Sequence, residues 1–127
     1  LNPGGVRIGT SEIYRVVSSL DIIEDSLVIG QDWKGDQRVI LFVIMLDKTP
    51  LDMDIINKIK FEIKVNCSPK HVPNKIIQVE GIPYTINGKK VEIAVKDVIE
   101  GKSVTNKEAL SNPEILDQYK NITELEN

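Results

Sequence analysis

Apolar positions along this chain recur in two periods, and each period predicts elements. Ile13, Val16, Val17 and Leu20 fall at i, i+3, i+4 and i+7, one face of a helix, with Thr10 or Ser11 placed to cap its first turn. Residues 26–30 and 38–46 are dense in Val and Ile and read as strands, and the polar segment 31–36 between them has the turn chemistry of a hairpin. The second of these strands is apolar at successive positions, so both its faces are expected to be covered by helices. Ile55, Ile59 and Ile63 then stack on one face of a helix that opens after Thr49-Pro50-Leu51-Asp52 and runs to about Asn66. Pro69 and Pro73 end it, because each proline holds the residue before it in extended geometry. Residues 75–79 read as a third strand, and Val91, Ala94, Val95, Val98 and Ile99 line the inner face of a third helix that stops at Gly101.

Helix, two strands, helix, strand, helix is the order of a small α+β domain, with a central sheet of about three strands that includes a β-hairpin and is covered by helices. Past Gly101 the chain turns polar. Residues 102–127 are expected to form a polar tail, with a short surface helix over 113–119 and a fraying end over 122–127. A length of 127 residues is enough to bury one core but short of the two layered halves that enclose most substrates, so one compact domain completing a site elsewhere is expected. The opening at Leu1-Asn2-Pro3-Gly4-Gly5, inside a glycine loop and without an initiating Met, carries the same expectation of a piece of a larger protein.

Sixteen basic and 19 acidic residues are interleaved for a net charge of −3, which argues against a general nucleic-acid or membrane-surface binder. Any anion site must therefore be local. One cysteine, Cys67, excludes an internal disulfide, and Cys67 with the single histidine, His71, cannot assemble a structural zinc site, so no metal is expected on this chain. The longest apolar run, residues 39–46, falls far below the roughly 20 residues of a membrane span, and a soluble, cytoplasmic protein is expected. The two sequons at Asn66 and Asn121 are accordingly expected to stay unmodified.

Candidate chemistry concentrates in Ile82-Pro83-Tyr84-Thr85-Ile86-Asn87-Gly88-Lys89-Lys90. Asn-Gly alone is a common hairpin turn. Here, however, Pro83 stiffens the approach and Gly88 lets the backbone pass close to a ligand before Lys89 projects, a protonated amine suited to charge on phosphate or carboxylate oxygens. Lys90 is expected to face solvent. Gly4-Gly5-Val6-Arg7 is a weaker signal, either a mobile chain end or a close-approach loop whose arginine takes phosphate oxygens bidentately. Gly101-Lys102-Ser103 is not a phosphate loop, since Lys96 stands where that pattern needs glycine. His71 has no Ser, Cys or Asp placed to work with it and is expected at the surface or an interface. Trp33 is either an interface anchor or a partly exposed loop residue.

Taken together, these residues resemble the small C-terminal domain of the acyl- and aryl-CoA synthetase, luciferase and peptide-synthetase adenylation family. Residues 1–13 are similar to the stretch just after that family's interdomain hinge, and Pro83-x4-Gly88-Lys89 is similar to its catalytic-lysine loop, in the right order and at the right separation. The resemblance covers essentially the whole chain. It implies that residues 1–127 are the mobile C-terminal lid domain of an adenylate-forming acid–thiol ligase, whose large N-terminal domain is absent here and is the domain's partner. It also implies ATP and coenzyme A as substrates, with Mg2+ held by ligands outside this chain.

By the same resemblance Lys89 matches the lysine that contacts the substrate carboxylate and ATP oxygens during adenylation. Gly5 matches a position lining the pantetheine tunnel during thioester formation, and Arg7 a phosphate-contacting arginine. Lys60 sits roughly where relatives carry a basic residue for the coenzyme A nucleotide phosphates, although the intervening segment differs in length. Relatives often carry Ser where this chain has Asn87, and the hinge residue lies before Leu1. The alternative reading is a stand-alone interaction module that uses Lys89 and Arg7 only to dock an anionic partner.

Overall fold

A computed structural model describes residues 1–126. Its elements are α1 (Thr10–Ser18), β1 (Ile23–Trp33), β2 (Asp36–Met45), α2 (Met53–Asn66), β3 (Lys75–Gln78) and α3 (Glu92–Ile99), joined by short 3-10 turns. The strands form one sheet in the order β1-β2-β3. The β1–β2 pair is antiparallel and the β2–β3 pair parallel, so the architecture is the expected mixed domain with a three-stranded sheet.

The successive apolar residues of β2 are explained by its central position. Val39, Leu41, Val43 and Met45 point into one core layer with Ile13, Val16 and Val17 of α1 and Ile59 and Ile63 of α2. Ile40 and Phe42 point into the opposite layer, with Ala94 and Val95 of α3. All five residues from Val39 to Val43 are fully buried, and burying each side chain of this size stabilises the fold by about 1.5–3 kcal/mol.

Helix ends follow local chemistry in two of three cases. The Asp52 side chain caps α2 by accepting from the Ile55 N–H at 2.9 Å. Past the last residue of α3, Gly101 takes φ +74° and donates to the Val98 carbonyl at 3.2 Å, while the Lys102 N–H reaches the Asp97 carbonyl at 2.8 Å, the pair of bonds that closes a Schellman motif. The third case departs from expectation: Gly9 occupies the N-cap of α1 and no side chain caps it, because Thr10 is already the first helical residue.

Three further differences concern what polar residues do. The segment 31–36 is not a six-residue loop, since Gln31, Asp32 and Trp33 stay in β1 opposite Arg38, Gln37 and Asp36. Only Lys34 and Gly35 turn, with φ of 49° and 79°, the doubly positive signature of a primed hairpin turn. His71 is buried rather than superficial, with Nδ1 at 2.6 Å from Ser68 Oγ and Nε2 at 3.2 Å from Glu12 Oε2.

Finally, the stretch expected to be a polar tail supplies four buried residues to the core layer under α3. The 3-10 helix Pro113–Tyr119 buries Leu116 and Tyr119, and Leu110 and Leu125 are buried beside them. The Tyr119 ring stands edge-on to Phe42, 5.0 Å between centroids and 88° between planes, and its hydroxyl donates to the Gly81 carbonyl at 2.6 Å. The expected fraying over 122–126 is replaced by a 3-10 turn, Thr123–Leu125, and Asn127 lies outside the described residues.

Candidate functional site

Residues 82–91 fold into a tight hairpin whose tip carries Lys89. The Val91 N–H donates to the Pro83 carbonyl at 3.0 Å, Tyr84 and Lys90 bridge as antiparallel partners, and the Thr85 N–H donates to the Lys89 carbonyl at 2.8 Å. At the turn, the Gly88 N–H reaches the Thr85 carbonyl at 2.9 Å with Gly88 at φ +84°, the conformation of a three-residue loop that ends in a left-handed residue. No atom lies within 4 Å of a Cβ built on Gly88, so glycine is favoured here by backbone conformation and not by crowding. The Thr85 hydroxyl takes up the Lys89 N–H at 3.1 Å. Pro83 is buried beneath the loop, whereas Ile86, Asn87, Gly88 and Lys89 are exposed.

Residues 109–112, which lie outside the named strands, brace the other side of this hairpin. Ile86 N–H donates to the Ala109 carbonyl at 3.1 Å, and Ser111 N–H to the Tyr84 carbonyl at 2.9 Å. The Asn112 amide spans the base, accepting from Tyr84 N–H at 3.1 Å and donating to the Ile82 carbonyl at 2.9 Å. Residues 109–112 thus wall the candidate catalytic loop. Ala109-Leu110-Ser111-Asn112 is too short to show a strand period.

The two adjacent lysines have opposite fates. Among the described residues, the Lys89 ammonium has no hydrogen bond or ion pair. Lys90, expected to face solvent, instead turns inward, with Nζ 3.2 Å from Asp25 Oδ1 and 4.1 Å from the centroid of the Tyr14 ring. The Tyr84 hydroxyl donates to the other oxygen of Asp25, and the Tyr14 hydroxyl donates to Glu92 while accepting from Val28 N–H at 2.9 Å. Burial, reinforced by the neighbouring carboxylates, raises both phenols well above the ordinary tyrosine value, so both stay protonated.

Gly5 and Arg7 belong to a separate loop. The 3-10 turn Pro3–Gly5 docks on the tip of the β1–β2 hairpin through Gly4 N–H to Asp36 Oδ1 at 3.0 Å and Asn2 N–H to Gln37 Oε1 at 2.7 Å. With Asn2 and residues 32–37, Gly5 lines a shallow hollow. Gly5 has φ +80° and nothing within 4 Å of a would-be Cβ, and the Arg7 side chain is exposed. Trp33 lies in this hairpin, covered by the guanidinium of Arg38 at 3.9 Å from the ring centroid. Lys60 sits on α2, half-buried between the buried Ile59 and the exposed Phe61. No hydrogen bond or ion pair among the described residues joins the Lys89 loop to the Gly5–Arg7 loop or to Lys60. The chain therefore presents three separate cationic or open positions rather than one enclosed site.

No family model matches the chain. It is 51% identical over 128 residues to an acetoacetyl-CoA synthetase of Gallus gallus, a match covering 100% of the chain and 19% of the relative. Against an acetoacetyl-coenzyme A synthetase of Rhizobium meliloti it is 52% identical over 125 residues, 98% of the chain and again 19% of the relative. The chain thus spans about a fifth of the length of the curated relatives it matches. Among solved structures, the acetoacetyl-CoA synthetase of Streptomyces lividans superposes with a TM-score of 0.84 at 35% identity, covering 96% of this chain and 19% of that one. A benzoate CoA ligase from Burkholderia xenovorans shares the fold, with a TM-score of 0.65 at 21% identity over 70% of this chain and 18% of the ligase.

Proposed function

This chain is a homologue of the C-terminal part of the acetoacetyl-CoA synthetases, and on that premise we propose that it is their mobile lid domain, closing on its own N-terminal domain to run a two-step ligation. In the first step acetoacetate attacks the α-phosphorus of ATP through a carboxylate oxygen, giving acetoacetyl-adenylate and pyrophosphate. In the second, the coenzyme A thiol attacks the acyl carbon, the thiol proton is lost, and AMP leaves with the electron pair of the broken acyl–phosphate bond. Mg2+ would be held by ligands outside this chain, and the setting would be cytoplasmic lipid metabolism.

The observation that carries this reading is Lys89: an exposed lysine without an internal partner, at the tip of a hairpin hydrogen-bonded on both sides. A cation so presented meets charge that another part of the enzyme holds, and it stabilises that charge as it develops on the carboxylate and phosphate oxygens. Arg7 would serve phosphate oxygens in the same way. Gly5, with open space where a side chain would stand, would leave the path of the pantetheine arm clear, and Lys60 would meet the coenzyme A nucleotide phosphates. Lys89 and Gly5 lie on separate loops, which suits a domain that shows a different face in each step.

The test is acetoacetate-dependent ATP–pyrophosphate exchange by the full-length protein. Lys89→Ala is expected to lower exchange by about 100-fold or more while thioester formation from supplied acetoacetyl-adenylate is largely kept. Exchange that survives the substitution would reduce the loop to a turn and overturn the reading. The 127 residues alone are expected to show no turnover.

A further inference from the structure

We propose that Asp25 is the positioning residue of the Lys89 hairpin, one carboxylate that clamps both arms of the loop and thereby sets the direction in which Lys89 projects. The proposal rests on the reading of Lys89 as the adenylation lysine. Tyr84 and Lys90 are direct cross-strand partners at the base of the hairpin. Each sends its polar end to a different oxygen of the same side chain: the Tyr84 hydroxyl to Asp25 Oδ2, the Lys90 ammonium to Oδ1 at 3.2 Å. Neither arm can swing without breaking a bond to Asp25.

The anchor is itself fixed. Asp25 stands on β1 where the register with β2 shifts, between Ile23 and Asp25, and its Oδ1 also accepts the Ser26 N–H at 2.8 Å. A bulge of this kind re-aims a side chain that regular pairing would place elsewhere. The Lys90 ammonium sits over the ring of Tyr14, whose hydroxyl is tied to Glu92 and to Val28, so α1, β1 and the first turn of α3 all converge on the clamp. Neighbouring residues of an extended segment point to opposite sides. Holding Lys90 inward therefore turns Lys89 outward, and the charge of Lys90 is matched by Asp25 while that of Lys89 is left for substrate.

The Asp25 and Lys90 side chains are about a quarter exposed, and a pair so wetted adds little to global stability. Its effect should instead appear in rate, because a misplacement of about 1 Å in a reacting group costs up to about 100-fold. In the full-length protein, Lys90→Met, which keeps the length and removes the ammonium, is expected to lower kcat for ATP–pyrophosphate exchange about tenfold. The KM for ATP and the rate of thioester formation from acetoacetyl-adenylate should both stay within about twofold, the split expected when only transition-state interactions are lost. Lys90→Arg, which can still pair with Asp25 and cover Tyr14, should recover exchange to within about threefold of wild type.

Exchange unchanged in Lys90→Met, with Lys89→Ala inactive, would overturn the clamp and leave the lysine assignment intact. A parallel fall of both half-reactions, tracking a fall in melting temperature, would equally overturn it. Exchange surviving Lys89→Ala would overturn the underlying reading and the clamp with it. Should Lys90→Met fail to fold, Tyr84→Phe carries the same test, since it removes one oxygen from the clamp and keeps the ring in place.

Discussion

The guanidinium of Arg38 donates to the main-chain carbonyl of Leu125 at 2.6 Å, joining the central strand to a segment 87 positions away. The same side chain donates through Nε to Gln31 Oε1 at 2.7 Å and covers the face of Trp33, and burial lowers its pKa. We expect Arg38→Met to cost about 2–3 kcal/mol in urea unfolding, the range for hydrogen bonds to a charged group. It should also speed tryptic cleavage after Lys120. Unchanged cleavage would show that the end of the chain is held by its apolar contacts alone.

Tyr119 separates those two contributions. Tyr119→Phe keeps the edge-on contact with Phe42 and removes only the bond to the Gly81 carbonyl, for an expected loss of about 1–2 kcal/mol. Tyr119→Ala empties a fully buried site and should cost about 3–5 kcal/mol. Equal costs for the two variants would mean that the hydroxyl, not the ring, holds the segment.

All three tyrosines of the chain, Tyr14, Tyr84 and Tyr119, have pKa values raised above the ordinary 10.0, chiefly by burial. Above about pH 10 the unfolded chain releases phenolic protons that the folded chain keeps. Stability contributed by the protonated phenols is therefore complete below that pH and falls as pH rises beyond it. Absorbance of tyrosinate near 295 nm should stay flat through pH 10 and rise only together with loss of ellipticity. A phenol titrating normally in the folded protein would contradict this.

Gly88 and Gly5 both hold φ near +80° with open space where a Cβ would go. Alanine at either position should cost about 1–2 kcal/mol locally, the usual penalty for a side chain in the left-handed region. The functional consequences should diverge. Gly88→Ala is expected to slow exchange more than thioester formation, and Gly5→Ala the reverse. Identical profiles for the two variants would argue against a domain with two working faces.

Much of this arrangement was legible in the amino-acid order. The faces of α1 and α2 follow from Ile13, Val16 and Val17 and from Ile59 and Ile63, because a helix must bury one stripe. The apolar run of β2 required two covered faces, and Gly101 announced the end of α3. The tip of the Lys89 loop was readable as well, since Asn87-Gly88 favours that turn. What could not be read was contact between distant segments. Nothing local marks Asp25 as the partner of Lys90, nor Asn112 as the brace of Tyr84, and Leu110, Leu116, Tyr119 and Leu125 are spaced too irregularly to show a period. His71 is a similar case: nothing local marks its burial or the approach of its Nε2 to Glu12 on α1.

The wall of the Lys89 loop is made about twenty residues downstream of its tip, by residues 109–112. During synthesis, which proceeds at about 5–20 residues per second, a nascent chain that has just exposed Lys89 carries a hairpin with one open edge. The loop acquires its working geometry only after its brace has been translated and has folded back. Lys89 is thus placed only once residues 109–112 have emerged, and a chain interrupted between the two would lack this brace together with Leu110, Leu116, Tyr119 and Leu125 of the core layer.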